Sequence, residues 1–300
     1  MNFRIALFNE QPNVLVAEHS VGRISALGAA LFAYRLFFRR FWLTVRLLFL
    51  PIIAAGVVLY ACLASYLAQL LLFLASPNPQ VATLALGVLA AGIFLPLFFY
   101  AVAVAAATNL ALGKKTGNTG VTFKIERQEW RLYAAYLRFL LLLCVVLVSV
   151  YLLSAYVAPL LSVTANLSPW FFVLVCAIAV FWLTARIGFL IAPVVAGSEG
   201  PVLRKAWQLS RRDLWRNCGL IILLLAPGFL VEVAGEYALR LGAGAPRVGG
   251  NLPLADYARL IGQMLGGFLA VLSVSSFVSI VLLTLGALAA YQHNRVARAA

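Results

Sequence analysis

The chain has 300 residues, of which 64% are hydrophobic and 11% are charged, and its mean hydropathy is +1.00. Soluble domains contain roughly 45–50% apolar and about 25% charged residues, so this composition excludes an ordinary soluble domain. A net charge of +14 would indicate nucleic-acid binding in a soluble protein, but here the positions of the charges indicate a membrane surface. The four cysteines lie in or beside apolar runs without a CxxC pair, which is typical of small buried side chains. We predict no metal and no cofactor.

Six apolar runs are long enough to cross a bilayer, which requires about 20 residues. They cover about 47–74, 81–112, 137–161, 171–195, 219–239 and 261–291. The predicted fold class is therefore all-α, a polytopic membrane protein with six transmembrane helices. We assign residues 1–28 to a cytoplasmic N-terminal segment, 29–292 to the membrane domain and 293–300 to a short cytoplasmic tail.

The lysines and arginines indicate the orientation of these spans. Six spans place both termini on one side, and 19 of the 23 lysines and arginines fall on that side. The opposite side carries Arg240, Arg247 and Arg259, and Arg186 lies within the fourth span. The positive-inside rule therefore predicts that both termini are cytoplasmic.

An internal repeat indicates how the membrane domain is built. Residues 33–42 and 206–215 align without gaps, with matching pairs at Ala33 and Ala206, Tyr34 and Trp207, Leu36 and Leu209, Arg39 and Arg212, and Trp42 and Trp215. A weaker third copy covers 129–146. We predict one unit used three times: a short basic-aromatic helix on the inner surface, followed by a hairpin of two spans.

These three short stretches have the composition of interfacial helices. In residues 203–216, apolar and aromatic side chains share one broad helical face, and most of the basic side chains lie off it. We predict that aromatic rings lie at headgroup depth and that arginines contact phosphates, each contributing about 1 kcal/mol near an anionic leaflet. The alternative is ordinary positive-inside topology with no specific lipid. The candidate lipid-binding residues are Trp207, Arg211, Arg212, Trp215, Arg39 and Trp42.

Arg186 is a cation inside an apolar run, about nine residues before the inner end of its predicted span. Such a charge costs about 2.5–3.5 kcal/mol on insertion scales unless it reaches the surface, a wet cavity or a partner. Glu232 is the predicted intramembrane partner, and Glu199, just past the span, is the alternative. Arg186 either forms a buried ion pair that fixes helix packing, or binds a lipid phosphate or lines a substrate path.

The region that contains Arg186 also shows a family pattern. An arginine late in a span precedes a proline, an acidic residue with glycine, and a basic A-W-x-L-x-R helix. Here these are Arg186, Pro193, Glu199, Gly200, Ala206, Trp207, Leu209 and Arg211, continued by Trp215, Arg216 and Gly219. This stretch of about 35 residues resembles the membrane domain fused to some bacterial glycerophosphodiester phosphodiesterases and found alone in small inner-membrane proteins.

The resemblance implies an integral all-helical protein of the bacterial inner membrane, and it implies no defined activity for the members found alone. We predict that the chain is not an enzyme. Phosphodiester hydrolysis belongs to a separate barrel domain with metal-binding carboxylates and histidines. This chain has two histidines, His19 and His293, at opposite ends, and nine acidic residues without a metal-site pattern.

Three functions are consistent with this sequence to different degrees. The first is a non-catalytic membrane module that binds anionic lipids or a partner protein, itself or another, in envelope or lipid homeostasis. The second is a transporter or translocator of lipids or small amphiphiles, with a polar site formed by Arg186, Glu232 and Asn109. The third, an intramembrane enzyme, requires a nucleophile–base or metal constellation that the sequence does not provide. We predict no nucleic-acid partner.

Overall fold

The computed structural model describes residues 25–75, 78–112, 127–160, 168–197, 200–211, 213–242 and 254–299. These residues form nine α-helices and one 3-10 turn. The α-helices are α1 Ala26–Arg39, α2 Phe41–Ala75, α3 Pro79–Ala111, α4 Arg127–Leu160, α5 Ser168–Arg186, α6 Ile191–Gly197, α7 Val202–Ser210, α8 Leu214–Gly242 and α9 Leu254–Ala299. The 3-10 turn, Gly188–Leu190, joins α5 to α6.

Within the described residues, six helical segments are long and apolar enough to cross a membrane, which agrees with the predicted number of spans. They are Phe41–Leu70, Pro79–Ala111, Arg127–Leu153, Phe172–Gly197, Leu214–Leu239 and Leu269–Tyr291. Helices α2 and α3, α4 and α5, and α8 and α9 pack against each other in chain order. The close approaches of α8 to α9 show that this pair is antiparallel, because Gly228 lies against Ser279 and Gly235 lies against Val271.

The fourth span, predicted over 171–195 and found over Phe172–Gly197, is interrupted by a short non-α segment. Helix α5 ends at Arg186, and Ile187 leaves the helical region with φ −126° and ψ −56°. Gly188 has low helix propensity, and Pro193 lacks the N–H that would bond to the carbonyl of Phe189. Arg186 is therefore a helix-terminal residue and not a residue in the middle of a helix.

Two of the three predicted short helices are separate elements. Helix α1 begins after Ser25, whose side chain accepts a hydrogen bond from Gly28 N–H at 3.1 Å, and α7 ends at Ser210. The predicted helical face over 203–216 is therefore interrupted, because α8 starts after Asp213, whose carbonyl accepts from Asn217 N–H at 2.9 Å. The third stretch is the first part of α4, which runs without a break from Arg127.

Each short segment packs against a hairpin that does not follow it directly in the chain. Helix α1 contacts α8 and α9, α7 contacts α5 and α6, and α4 contacts α3. Helix α9 is central: it also contacts α2, α3 and α6, and 44% of its apolar window is buried, against 6% for that of α4.

The buried core lies mainly at one end of the bundle. It comprises the start of α2, the end of α3, the start of α4, the α5–α6 junction, the start of α8 and the end of α9, together with α1 and α7. Contacts at this end join the start of α2 to the end of α3 and the start of α8 to the end of α5. The opposite halves of the spans expose many large apolar side chains, as expected for surfaces that lie against lipid.

Candidate functional site

Arg186 lies where the C-terminal ends of two helices meet. It is the last residue of α5, and its Nη1 donates to the carbonyl of Ser210, the last residue of α7, at 3.3 Å. Helix C-termini carry a partial negative charge of about half an elementary charge each, which favours a cation placed between them. Among the described residues, the guanidinium is thus stabilised by a backbone carbonyl and not by a carboxylate, and this hydrogen bond joins the end of α7 to the end of α5.

Trp207 covers one face of the same guanidinium. The Arg186 Cζ lies 4.5 Å from the centroid of the Trp207 ring, a cation–π contact. The Trp182 ring meets Trp207 edge-on at 5.7 Å. Such a stack contributes about 0.5–2 kcal/mol, more where water is excluded. The predicted site residues Arg186 and Trp207 are therefore in direct contact.

Two polar atoms at this junction lack hydrogen-bond partners among the described residues. Arg186 Nε is buried without an acceptor, and Asn217 Oδ1 is buried without a donor. The other end of the Asn217 amide is used, because its Nδ2 donates to the carbonyl of Ala185 at 3.4 Å. A buried polar atom without a hydrogen bond destabilises the folded state by about 1–3 kcal/mol. A polar ligand or a water molecule that bonded to either atom would therefore stabilise this junction.

The predicted pairing of Arg186 with Glu232 is wrong, since no ion pair joins these two described residues. Asn217, beside the end of α5, is the fourth residue of α8, and Glu232 lies 15 residues further along that helix. At 1.5 Å per residue this separates their levels by about 22 Å. A polar path through Arg186 and Glu232, as the transport alternative requires, has to bridge that distance. Glu199, the other predicted partner, lies outside the described residues.

Arg40 occupies a second junction of the same kind. It caps α1, where its backbone N–H bonds to the Leu36 carbonyl, and its Nη1 donates to the carbonyl of Leu110 near the end of α3 at 3.4 Å. Arg40 and Thr44 line a small cavity with room for about one water molecule. Asn109, named in the transport alternative, has its Oδ1 buried without a donor among the described residues.

Tyr34 ties α1 to the proline-containing part of α8. The Tyr34 hydroxyl donates to the carbonyl of Leu223, four residues before Pro227. Proline has no N–H, so this carbonyl cannot make its normal helical hydrogen bond. The Tyr34 hydroxyl is protonated at neutral pH and can donate, and burial raises its pKa further. A side chain from a distant helix thus satisfies the carbonyl that the proline left unpaired.

The remaining predicted lipid-contacting residues are exposed where the structure describes them. Trp42 and Trp215, each the second residue of a long apolar helix, are 81% and 86% exposed. Arg39 and Arg211, which come just before these helices, are also exposed. Arg212 lies outside the described residues.

The sequence reasoning did not single out as site residues several residues that the structure places in these contacts or at these helix starts: Trp130, Ser210, Asn217, Trp182, Tyr34 and Arg40. Trp130 is 54% exposed and, like Trp42 and Trp215, lies in the first turn of a long apolar helix, whereas the weak third repeat aligns it with Tyr34 and Trp207. Ser210, Asn217 and Trp182 gave no sequence signal, because their roles depend on helices that meet only in the folded chain.

No family model, curated protein or solved structure matches this chain. The resemblance to the phosphodiesterase-associated membrane domain therefore stays a prediction.

Proposed function

We propose that this chain is a non-catalytic, multi-pass protein of the bacterial inner membrane, with cytoplasmic termini, that binds anionic lipid headgroups at its basic end. The proposal includes a role in envelope organisation or lipid homeostasis. One set of residues carries it, the tryptophan–arginine belt, which consists of Arg39, Trp42, Arg127, Trp130, Arg211 and Trp215.

The belt combines two chemistries that suit a membrane interface. All six side chains are exposed, and each arginine–tryptophan pair lies at the start of an odd-numbered span. Tryptophan prefers the headgroup level, where its ring is half in an apolar environment. Arginine binds phosphate through two hydrogen bonds, and it attracts an anionic leaflet. Because two crossings separate consecutive odd spans, the three pairs lie on the same side of a six-span chain.

Matched burial supports the proposed repeat for two of its units. When residues 29–48 are aligned with 202–221 by number, five positions are buried in both copies, and at two others a buried residue is matched by a half-buried one, Ala30 by Leu203 and Leu220 by Leu47. The five pairs buried in both are Ala29 and Val202, Ala33 and Ala206, Phe37 and Ser210, Thr44 and Asn217, and Leu48 and Ile221. Two units with the same buried face present the same exposed face, which carries Trp42 in one and Trp215 in the other.

The belt can be tested by its effect on the lipid shell of the protein. The variant Arg39→Gln/Arg127→Gln/Arg211→Gln is compared with wild type in bilayers of phosphatidylglycerol and phosphatidylcholine. The measurement is the enrichment of spin-labelled phosphatidylglycerol over phosphatidylcholine at the protein surface. A cation near the headgroups contributes about 1 kcal/mol, so we expect the enrichment to fall by up to about fivefold at each altered position.

The matched control removes three arginines from the predicted outer side, as Arg240→Gln/Arg247→Gln/Arg259→Gln. This control variant loses the same three positive charges. We expect it to keep the enrichment of phosphatidylglycerol at the inner side of the protein. Equal losses in both triple variants would mean that net charge alone selects the lipid, and the belt proposal would fail. Unchanged lipid enrichment with loss of a co-purifying protein would instead indicate a protein partner.

A further inference from the structure

An exposed apolar ridge on α5 ends at Arg186. Leu174, Ile178 and Trp182 are 58%, 59% and 41% exposed, and each lies four residues from the next, with Arg186 four residues after Trp182. Side chains at this spacing form a continuous ridge on a helix. The ridge covers 12 residues, or about 18 Å along the helix axis, and offers one lipid-facing surface that finishes at a cation.

The guanidinium at the end of this ridge retains an unused donor. Its Nη1 is bonded to the Ser210 carbonyl and one face is covered by Trp207, but Nε has no acceptor among the described residues. Arg186 itself is half-buried, and the next residue after Ser210 is the exposed Arg211. Arg186 and Arg211 carry two positive charges, and the Nε–H of Arg186 lacks an acceptor among the described residues. These features favour an anion with several acceptor oxygens, such as a phosphate.

We propose that this corner, formed by Arg186, Trp207 and the α5 ridge, binds one phospholipid. A phosphate oxygen displaces the side chains that bury Arg186 Nε and accepts from this atom. Trp207 holds the guanidinium in place, and an acyl chain lies along Leu174, Ile178 and Trp182. The site rests on the proposed lipid-binding function but, apart from Arg211 nearby, uses none of the belt residues. It is a single site with a defined stoichiometry, whereas the belt enriches lipids over a surface.

The test titrates delipidated protein in mild detergent with phosphatidylglycerol and counts bound lipids by native mass spectrometry. We expect one lipid to bind most tightly to wild type. Arg186→Lys keeps the charge at the two helix ends but lacks the Nε donor and the planar stack. Its affinity for that first lipid is expected to fall roughly tenfold or more, as for loss of a charge-assisted hydrogen bond.

Two isoleucines provide a matched pair for the ridge. Ile178 on α5 and Ile222 on α8 are each 59% exposed, so replacing either by serine has a similar effect on folding. We expect Ile178→Ser to weaken binding of the first lipid severalfold and Ile222→Ser to leave it unchanged. This pair keeps the test decisive even if circular dichroism shows that Arg186→Lys has lost its fold.

Three probes separate the possible ligands. Diacylglycerol, which has chains but no phosphate, is expected not to compete with phosphatidylglycerol, and inorganic phosphate at millimolar concentration is expected to compete poorly. If inorganic phosphate binds wild type and Ile178→Ser equally well and displaces the lipid, the ligand is free phosphate and the lipid site is refuted. First-lipid affinity that is equal in wild type, Arg186→Lys and Ile178→Ser would also refute it. Arg39→Gln/Arg127→Gln, which keeps Arg211, separates the two proposals: loss of phosphatidylglycerol enrichment with unchanged first-lipid affinity in this variant would support the belt and the single site independently.

Discussion

The contact between Tyr34 and Leu223 gives a prediction that depends on a second residue. Pro227 leaves the Leu223 carbonyl without its helical partner, and the Tyr34 hydroxyl supplies the missing donor. Tyr34→Phe removes that donor and little else. Side-chain hydrogen bonds between membrane helices contribute about 0.6 kcal/mol on average and at most about 1.7 kcal/mol. Because Pro227 provides no N–H for this carbonyl, we expect a cost in the upper part of this range, about 1–1.7 kcal/mol in the free energy of unfolding.

The same substitution should cost much less in a Pro227→Ala background. Alanine restores the backbone N–H at position 227, so the Leu223 carbonyl regains its helical hydrogen bond and no longer needs Tyr34. The double-mutant cycle is therefore expected to show a coupling energy close to the full cost of Tyr34→Phe.

The assay is reversible unfolding in mixed detergent micelles with increasing dodecyl sulfate, followed by circular dichroism for wild type, both single variants and the double variant. A cost of Tyr34→Phe that is the same with proline and with alanine at position 227 would refute the reasoning. It would mean that Tyr34 acts through packing of its ring and not through the carbonyl that the proline leaves unpaired.

Other substitutions test the packing, the stacked arginine and the topology. Gly228→Ala would place a Cβ 2.1 Å from Ser279 Oγ and 3.2 Å from a backbone carbonyl, whereas a Cβ at Gly87 has no neighbour within 4 Å. In the same unfolding assay, we expect Gly228→Ala to lower the free energy of unfolding by about 1–3 kcal/mol, because it forces α8 away from α9. We expect Gly87→Ala to leave it unchanged or to raise it by up to about 1 kcal/mol. Equal effects of the two substitutions would contradict the close packing of α8 against α9. Trp207→Leu is expected to lower stability by about 0.5–2 kcal/mol through loss of the cation–π contact with Arg186, and an unchanged unfolding midpoint would show that the stack contributes nothing. Fluorescent protein fused to either terminus is expected to fluoresce in the cytoplasm, and export of either terminus would overturn the predicted orientation.

The candidate site was predicted in part from the sequence. Arg186 and Trp207 were singled out as an intramembrane cation and an interfacial aromatic, and the structure brings the two together. The partner of Arg186 was predicted from charge, which selected Glu232. In the structure, Arg186 bonds to a backbone carbonyl instead. The partial negative charge of a helix C-terminus comes from backbone carbonyls, so the residue types in the sequence do not reveal it.

Length and hydropathy by themselves determined the number of spans and the hairpin order. These properties are local: an apolar run of sufficient length forms a helix wherever it occurs in a membrane, because its backbone must bond to itself there. The sequence also identified Trp42 and Trp215 as equivalent residues, and both are highly exposed at the start of a span.

Only the tertiary structure decided where helices stop and what their ends touch. The hydrogen bonds at helix ends join residues 24, 32 and 70 positions apart, at Arg186, Asn217 and Arg40 respectively. The bond from Tyr34 to the interior of α8 joins residues 189 positions apart. The break at Arg40 has no glycine or proline beside it, and the chain turns there next to the end of α3. Such contacts depend on which helices are neighbours, and in a chain where nearly every span is uniformly apolar the hydropathy pattern carries no information about neighbours.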